Sequence, residues 1–157
     1  MIDRFQGQYR WLSNFWPAND IRVWSLVQNK AVTVPTTEHG YQAYKTEVPE
    51  ERESIILAAT PGDAERLGNK VTLHDWTVSR RINTMTLLLN AKFSESANPV
   101  LLEKLLETGG EELEEGNTWH DTFWGVCYGS RRCTCTGIGE NNLGKLLMII
   151  RGLRELG

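Results

Sequence analysis

The sequence predicts an α+β fold, mostly helical with a few short strands, and three observations predict it. Two runs of β-branched and aromatic residues near the N-terminus flank a turn-like Gln28-Asn29-Lys30. Apolar residues later recur at helical spacing, first as Val78, Ile82, Met85 and Leu89, then as Leu143, Leu146, Leu147, Ile150 and Leu153. Helix punctuation separates these stretches, with start signals at Thr60-Pro61 and Asn98-Pro99 and a stop at Gly109-Gly110.

Taken in order, residues 21–27 and 31–34 form a short hairpin, because Ile, Val, Trp and Thr suit a pleated, half-buried surface. Pro35-Thr36-Thr37 opens a helix expected to run through about Thr46. Thr60, Pro61 and Asp63 supply an N-cap, a first-turn proline and an acidic N3 residue for the next. The Val78–Leu89 stripe belongs to a helix ending near Phe93. Residues 123–128 read as a strand, and Asn141-Asn142 cap the last helix.

Composition bounds the function. The 157 residues carry 17 Lys and Arg, 20 Asp and Glu, and an apolar fraction of 40%, which suits one globular domain over residues 1–157. A net charge of −3 excludes a generally basic surface for clamping duplex nucleic acid. Apolar runs such as Leu146–Ile150 fall far short of the ~20 residues that span a bilayer, so no membrane span is expected. Residues 1–5 show no basic segment followed by an apolar one, and the expected compartment is the cytoplasm. Three cysteines, Cys127, Cys133 and Cys135, fit a reducing compartment better than a disulfide framework. They include no Cys-x-x-Cys pair, so their spacing with His120 argues against zinc, and neither metal nor cofactor is expected. Six tryptophans are a high share, and aromatic rings are what a site uses to hold planar ligands.

The most informative spacing is Glu38, Tyr41, Gln42 and Lys45, at i, i+3, i+4 and i+7 on one helix face. A solvated Glu–Lys surface is the bland reading. Tyr and Gln between the charges favour a site, in which a carboxylate near the positive helix end serves as base or electrostatic partner for a developing cation. Lys45 then binds phosphate or, with a lowered pKa, attacks a sugar aldehyde. A second cluster, Glu115 to Gly125, mixes carboxylates, an amide, a histidine and the rings of Trp119 and Trp124. Packing is the alternative role for those rings, and a turn for Asp121. Two carboxylates brought together would equip glycosidic chemistry. Third, the glycine-rich run Gly137–Lys145 opens the last helix, where backbone N–H groups with Lys145 or Arg151 make an anion site or merely a cap.

Four separated motifs, Trp11-Leu12-Ser13-Asn14-Phe15, Thr37 to Lys45, Asp121-Thr122-Phe123-Trp124-Gly125, and Asn141 to Met148 with Arg151, resemble the NADAR (YbiA-like) family across essentially the whole chain. Arg81, Met85 and Ala91-Lys92-Phe93 resemble that family's long helix. The resemblance implies an N-glycosidase that breaks a C1′–N bond. Its substrate would be an ADP-ribosyl guanine in nucleic acid or nucleotide, or a ribosylaminopyrimidine phosphate of riboflavin synthesis. It implies Glu38 as the central carboxylate, Lys45 as a catalytic or positioning amine, and Asp121 with Trp124 as part of the opposite wall. Asn14, Tyr41, Gln42, Trp119, Asn141 and Arg151 join them as expected substrate contacts. The partner is then a small ribosyl or ADP-ribosyl molecule, free or as a modified base. A non-catalytic ADP-ribose or NAD module is the alternative. Three departures bear on Trp76, one residue further from Met85 than in the family pattern, on Asn117, and on the Cys-containing insertion 129–137.

Overall fold

Buried Ile21, Val23 and Ser25 alternate with exposed Arg22 and Trp24, the period-2 pattern of a half-covered strand. They build β1 (Ile21–Ser25), which pairs antiparallel with β2 (Lys30–Val34) in a register that sets Ile21 opposite Val34 and Ser25 opposite Lys30. Asn29, at φ 51°, takes the left-handed position of the connecting turn. The computed structural model describes residues 1–157 and divides them into two compact units, Asn14–Leu101 and Met1–Ser13 with Leu102–Gly157.

The unit Asn14–Leu101 holds the hairpin and α1 (Thr37–Ala43), α2 (Pro49–Ile56), α3 (Pro61–Gly68) and α4 (Val78–Lys92). Hydroxyl caps start three of these helices: Thr36 accepts from His39 N–H, Thr60 from Asp63 N–H and Thr77 from Arg80 N–H. Every residue of α1 is buried, and α2, α3, α4 and β1 pack around it. The helix stops at Ala43, short of the expected Thr46: Lys45 N–H closes a tight turn on the Gln42 carbonyl, and the Thr46 carbonyl accepts from Arg52 Nε at 3.1 Å and Nη2 at 2.8 Å. Ile21, Val23, Ile55, Met85, Leu88, Leu89 and Phe93 form the core. Val78, expected on the buried stripe, is 61% exposed in the first turn of α4, and Leu88 is buried further along the helix. The segment Pro49–Ile56 is a helix without a sequence signal, since its acidic run shows no apolar stripe until Ile55 and Ile56.

The second unit contains a 3-10 helix (Gly7–Leu12), most of α5 (Pro99–Glu107), a parallel pair formed by β3 (Gly116–Asn117) and β4 (Val126–Cys127), and α6 (Asn142–Glu155). Leu12, Leu105, Leu113, Cys127, Leu143 and Leu147 are its core. The strand expected over 123–128 shrinks to two residues. Asp121 Oδ1 accepts from the N–H groups of Phe123 at 3.2 Å and Trp124 at 2.9 Å, which turns the chain there. Leu153 is exposed in the last turn of α6, whereas Leu143, Leu147 and Ile150 carry the buried stripe. Helix exceeds strand and each sheet has two strands, so the fold is α+β and mostly helical. No helix is long and apolar enough to cross a membrane.

Candidate active site

The polar face of α1 is buried, which a solvated Glu–Lys surface would not be. Glu38 is 8% exposed, Tyr41 5% and Gln42 4%. Burying a carboxylate is costly unless donors meet it. Gln42 Nε2 donates to Glu38 Oε1 at 2.6 Å, one helical turn away. The Glu38 backbone N–H donates to the Asn14 carbonyl, and Asn14 Oδ1 accepts from Thr37 Oγ1 at 2.9 Å, so Asn14 anchors the start of the helix beside Glu38. Gly68 of α3 faces Gln42 so closely that a Cβ there would lie 2.0 Å from Gln42 Oε1. That oxygen is buried and has no hydrogen-bond partner.

Lys45 lies one residue beyond the C-cap Tyr44, held by its N–H donating to the Gln42 carbonyl at 3.2 Å. Its ammonium stands 5.7 Å from the centre of the Tyr41 ring. Burial pushes its pKa down, with Arg81 adding to that effect and the charges of Glu38 and Glu65 opposing it. Two residues from outside the helix complete the cluster. Arg81 Nε of α4 donates to the Tyr41 phenol at 3.2 Å, and the Trp76 ring packs on Tyr41 with centroids 5.1 Å apart at 60°. Neither was among the expected site residues. The sequence places Arg81 only in the stretch that resembles the family's long helix, and Trp76 off the family spacing, because both reach α1 only through tertiary packing. His39 has a structural part, its ring meeting Thr36 Oγ1 and the Ala58 carbonyl.

The other expected residues belong to the second unit. Asn117 is 2% exposed, donates to the Asp121 carbonyl at 2.8 Å and accepts from the Asp121 and Trp119 N–H groups. Asp121 thus sits in a turn held through its N–H, its carbonyl and its Oδ1. Trp124 is buried, edge-on to Phe123 at 4.8 Å, while Trp119 is 60% exposed. Asn141 takes a left-handed conformation at the N-cap of α6 and makes no side-chain cap. Its amide instead joins Glu115 N–H and the Leu113 carbonyl. Arg151 is 8% exposed, with Nη1 donating to Thr108 Oγ1 at 2.8 Å and the Glu111 carbonyl at 2.9 Å. Those contacts brace the segment after α5. The same unit gathers His120, Cys127, Cys133 and Cys135 with their ligand atoms within 4.8 Å of one another, a grouping the linear spacing did not reveal.

The profile of the NADAR domain matches residues 3–154. The chain belongs to the NADAR family. Its fold is similar to the solved NMR structure of the E. coli protein YbiA, with a TM-score of 0.72 and 31% identity over 99% of this chain and 88% of that one. Among curated NADAR relatives, N-glycosidase YbiA of Escherichia coli (strain K12) is 36% identical over 122 residues, 76% of this chain and 69% of that protein. The chloroplastic riboflavin biosynthesis protein PYRR of Zea mays is 38% identical over 132 residues, again 76% of this chain, and the alignment spans 19% of that protein's length. Both α1 and the turn at Asp121 lie inside the matched NADAR span.

Proposed function

We propose that this chain is an N-glycosidase that hydrolyses the C1′–N bond of a ribosylated nucleobase. The observation that carries this reading is the buried Glu38 carboxylate, fixed by Gln42 on the helix that also presents Tyr41 and leads directly into half-buried Lys45. A pure binding surface has no need to bury a carboxylate beside an amine of lowered pKa. The names of the relatives, N-glycosidase and riboflavin biosynthesis protein, support the same bond and the same class of substrate.

In the proposed reaction, water attacks C1′ while the bond to nitrogen breaks. Glu38 takes the water proton and its negative charge offsets the oxocarbenium character of the sugar. The proton taken by Glu38 passes on to the departing nitrogen, which leaves as the free amine or base, and the carboxylate is restored. Tyr41 and Trp76 offer an aromatic wall for the base, and the cations Lys45 and Arg81 favour a phosphorylated sugar. In a second route Lys45, made more nucleophilic by its lowered pKa, attacks C1 of the ring-opened sugar, expels the nitrogen and forms an imine that water hydrolyses. Asp121, Trp119, Trp124, Asn14, Asn141 and Arg151 are retained as proposed contributors on the strength of the family resemblance. Asp121 Oδ1 and Arg151 Nη1 already serve internal bonds.

The substrate is a ribosylaminopyrimidine phosphate or an ADP-ribosyl guanine, and one assay separates them. The purified chain is incubated in parallel with the small phosphate and with an oligonucleotide carrying ADP-ribosyl guanine, and release is followed by mass spectrometry. Release of the amine from the first alone assigns a metabolite N-glycosidase. Release of ADP-ribose from the second alone assigns a nucleic-acid de-ADP-ribosylating enzyme. Binding without cleavage of either would replace this reading with that of an ADP-ribose module.

A further inference from the structure

The loop between β4 and α6 carries chemistry that the glycosidase reading does not use. Cys127 closes β4 and is buried, and its N–H donates to the Ile138 carbonyl. The chain then folds back on itself through reciprocal bonds between Ser130 and Cys133, 2.7 Å in one direction and 3.2 Å in the other. Gly129 makes that fold possible. Its φ of 85° suits glycine, and a Cβ would lie 2.4 Å from the Cys135 carbonyl oxygen. The result is a knuckle that brings Cys133 and Cys135 back over Cys127. His120, itself at a positive φ of 69°, turns its ring to the same point.

The four ligand atoms converge. Cys127 Sγ is 3.5 Å from Cys133 Sγ, Cys133 Sγ is 3.1 Å from Cys135 Sγ, and His120 Nδ1 is 3.0 Å from Cys135 Sγ and 3.4 Å from Cys133 Sγ. A tetrahedral zinc with Zn–S near 2.3 Å and Zn–N near 2.0 Å requires edges of roughly 3.8 Å between sulfurs and roughly 3.5 Å between sulfur and nitrogen. Expansion of the individual edges by up to roughly 0.7 Å, the largest between Cys133 and Cys135, therefore converts the cluster into a coordination shell. The sulfur separations are too long for any disulfide, which needs S–S of about 2.05 Å. We infer that His120, Cys127, Cys133 and Cys135 form a Cys3His structural zinc site.

Four protein ligands leave no open position for a reacting water, so the metal is structural. Binding releases the three thiol protons to solvent and leaves a zinc–thiolate centre with one net negative charge, which the exposed neighbours Arg131 and Arg132 complement. Its mechanical effect is local. It ties the loop 129–137 to His120, the residue immediately before Asp121, and so holds the Asn117–Asp121–Trp124 turn against β4.

The test uses the full chain purified under reducing conditions without chelator. Inductively coupled plasma mass spectrometry should find one zinc per chain, and Cys133→Ser and Cys135→Ser should each reduce it to a small fraction. Chelated and reloaded with Co(II), the chain should show sulfur-to-cobalt charge-transfer bands and the intense visible bands of tetrahedral cobalt. His120→Cys preserves four ligands, should retain zinc, and should shift the cobalt spectrum toward that of a four-thiolate site. That variant keeps the inference falsifiable even where a serine substitution unfolds the loop. Absence of zinc together with absence of charge-transfer bands on Co(II) titration would overturn the site. So would zinc content unchanged in both serine variants, or a disulfide between any two of the three cysteines in the freshly purified chain. None of these outcomes bears on whether Glu38 catalyses hydrolysis.

Discussion

Gln42 holds Glu38: its amide Nε2 donates to Glu38 Oε1 at 2.6 Å, and both side chains are more than nine-tenths buried. A buried hydrogen bond to a charged group is worth more than an exposed one, and removing one partner leaves the other unsatisfied. Gln42→Leu is therefore expected to lower stability by about 1–3 kcal/mol. It should also slow C1′–N cleavage, because Glu38 loses the contact that orients it. Chemical denaturation with steady-state kinetics on the same preparation checks both parts. Unchanged turnover would mean that Glu38 needs no such orientation.

Gly68 controls the same pair from a different helix. Alanine there places a methyl group 2.0 Å from Gln42 Oε1 and 2.9 Å from Gln42 Cβ, too close for either to stay where it is. Overpacking of this kind costs about 1–3 kcal/mol. Gly68→Ala should lower the melting temperature and reduce turnover although it adds no polar group to the cluster. A variant as active and as stable as the parent would show that α3 yields without moving Gln42.

Lys45 titrates below the ordinary lysine range because it is partly buried and faces Arg81. The folded chain thus binds that proton less tightly than the unfolded chain. The charged lysine opposes folding at pH values below its folded-state pKa, and the penalty fades as pH rises above that pKa and is gone beyond the unfolded value of about 10.4. Lys45→Met is accordingly expected to leave stability at neutral pH unchanged or raised, while cleavage falls. If Lys45 acts as the nucleophile, borohydride added during turnover traps a covalent sugar adduct on it. If no adduct forms in an active reaction, water attacks directly and Lys45 serves only to bind.

Much of this architecture was legible before the fold was known. The spacing of Glu38, Tyr41 and Gln42 picked out a polar face that the structure buries, with Lys45 just beyond the helix, and Thr60-Pro61 and Asn98-Pro99 marked real helix starts. Local signals stop where tertiary contacts begin. Arg81 and Tyr41 are 40 positions apart, and no periodicity links a residue of α4 to one of α1. The cysteine cluster escaped for a related reason: its ligands meet through a glycine-dependent reversal, not through a regular Cys-x-x-Cys turn. Asn141 and Arg151, expected from their motif to face a ligand, bond through the Asn141 amide and Arg151 Nη1 to the backbone of the segment 111–115 and to Thr108.

The most direct measurement is the rate of amine or base release by Glu38→Gln beside the parent chain, on whichever substrate the parent cleaves, with folding checked by circular dichroism. Glutamine keeps the shape of the side chain and removes its charge. A folded variant at least ~100-fold slower is expected, the usual scale of an acid–base contribution. A folded Glu38→Gln chain that cleaves at the parent rate would contradict it, and would take the carboxylate out of the reaction.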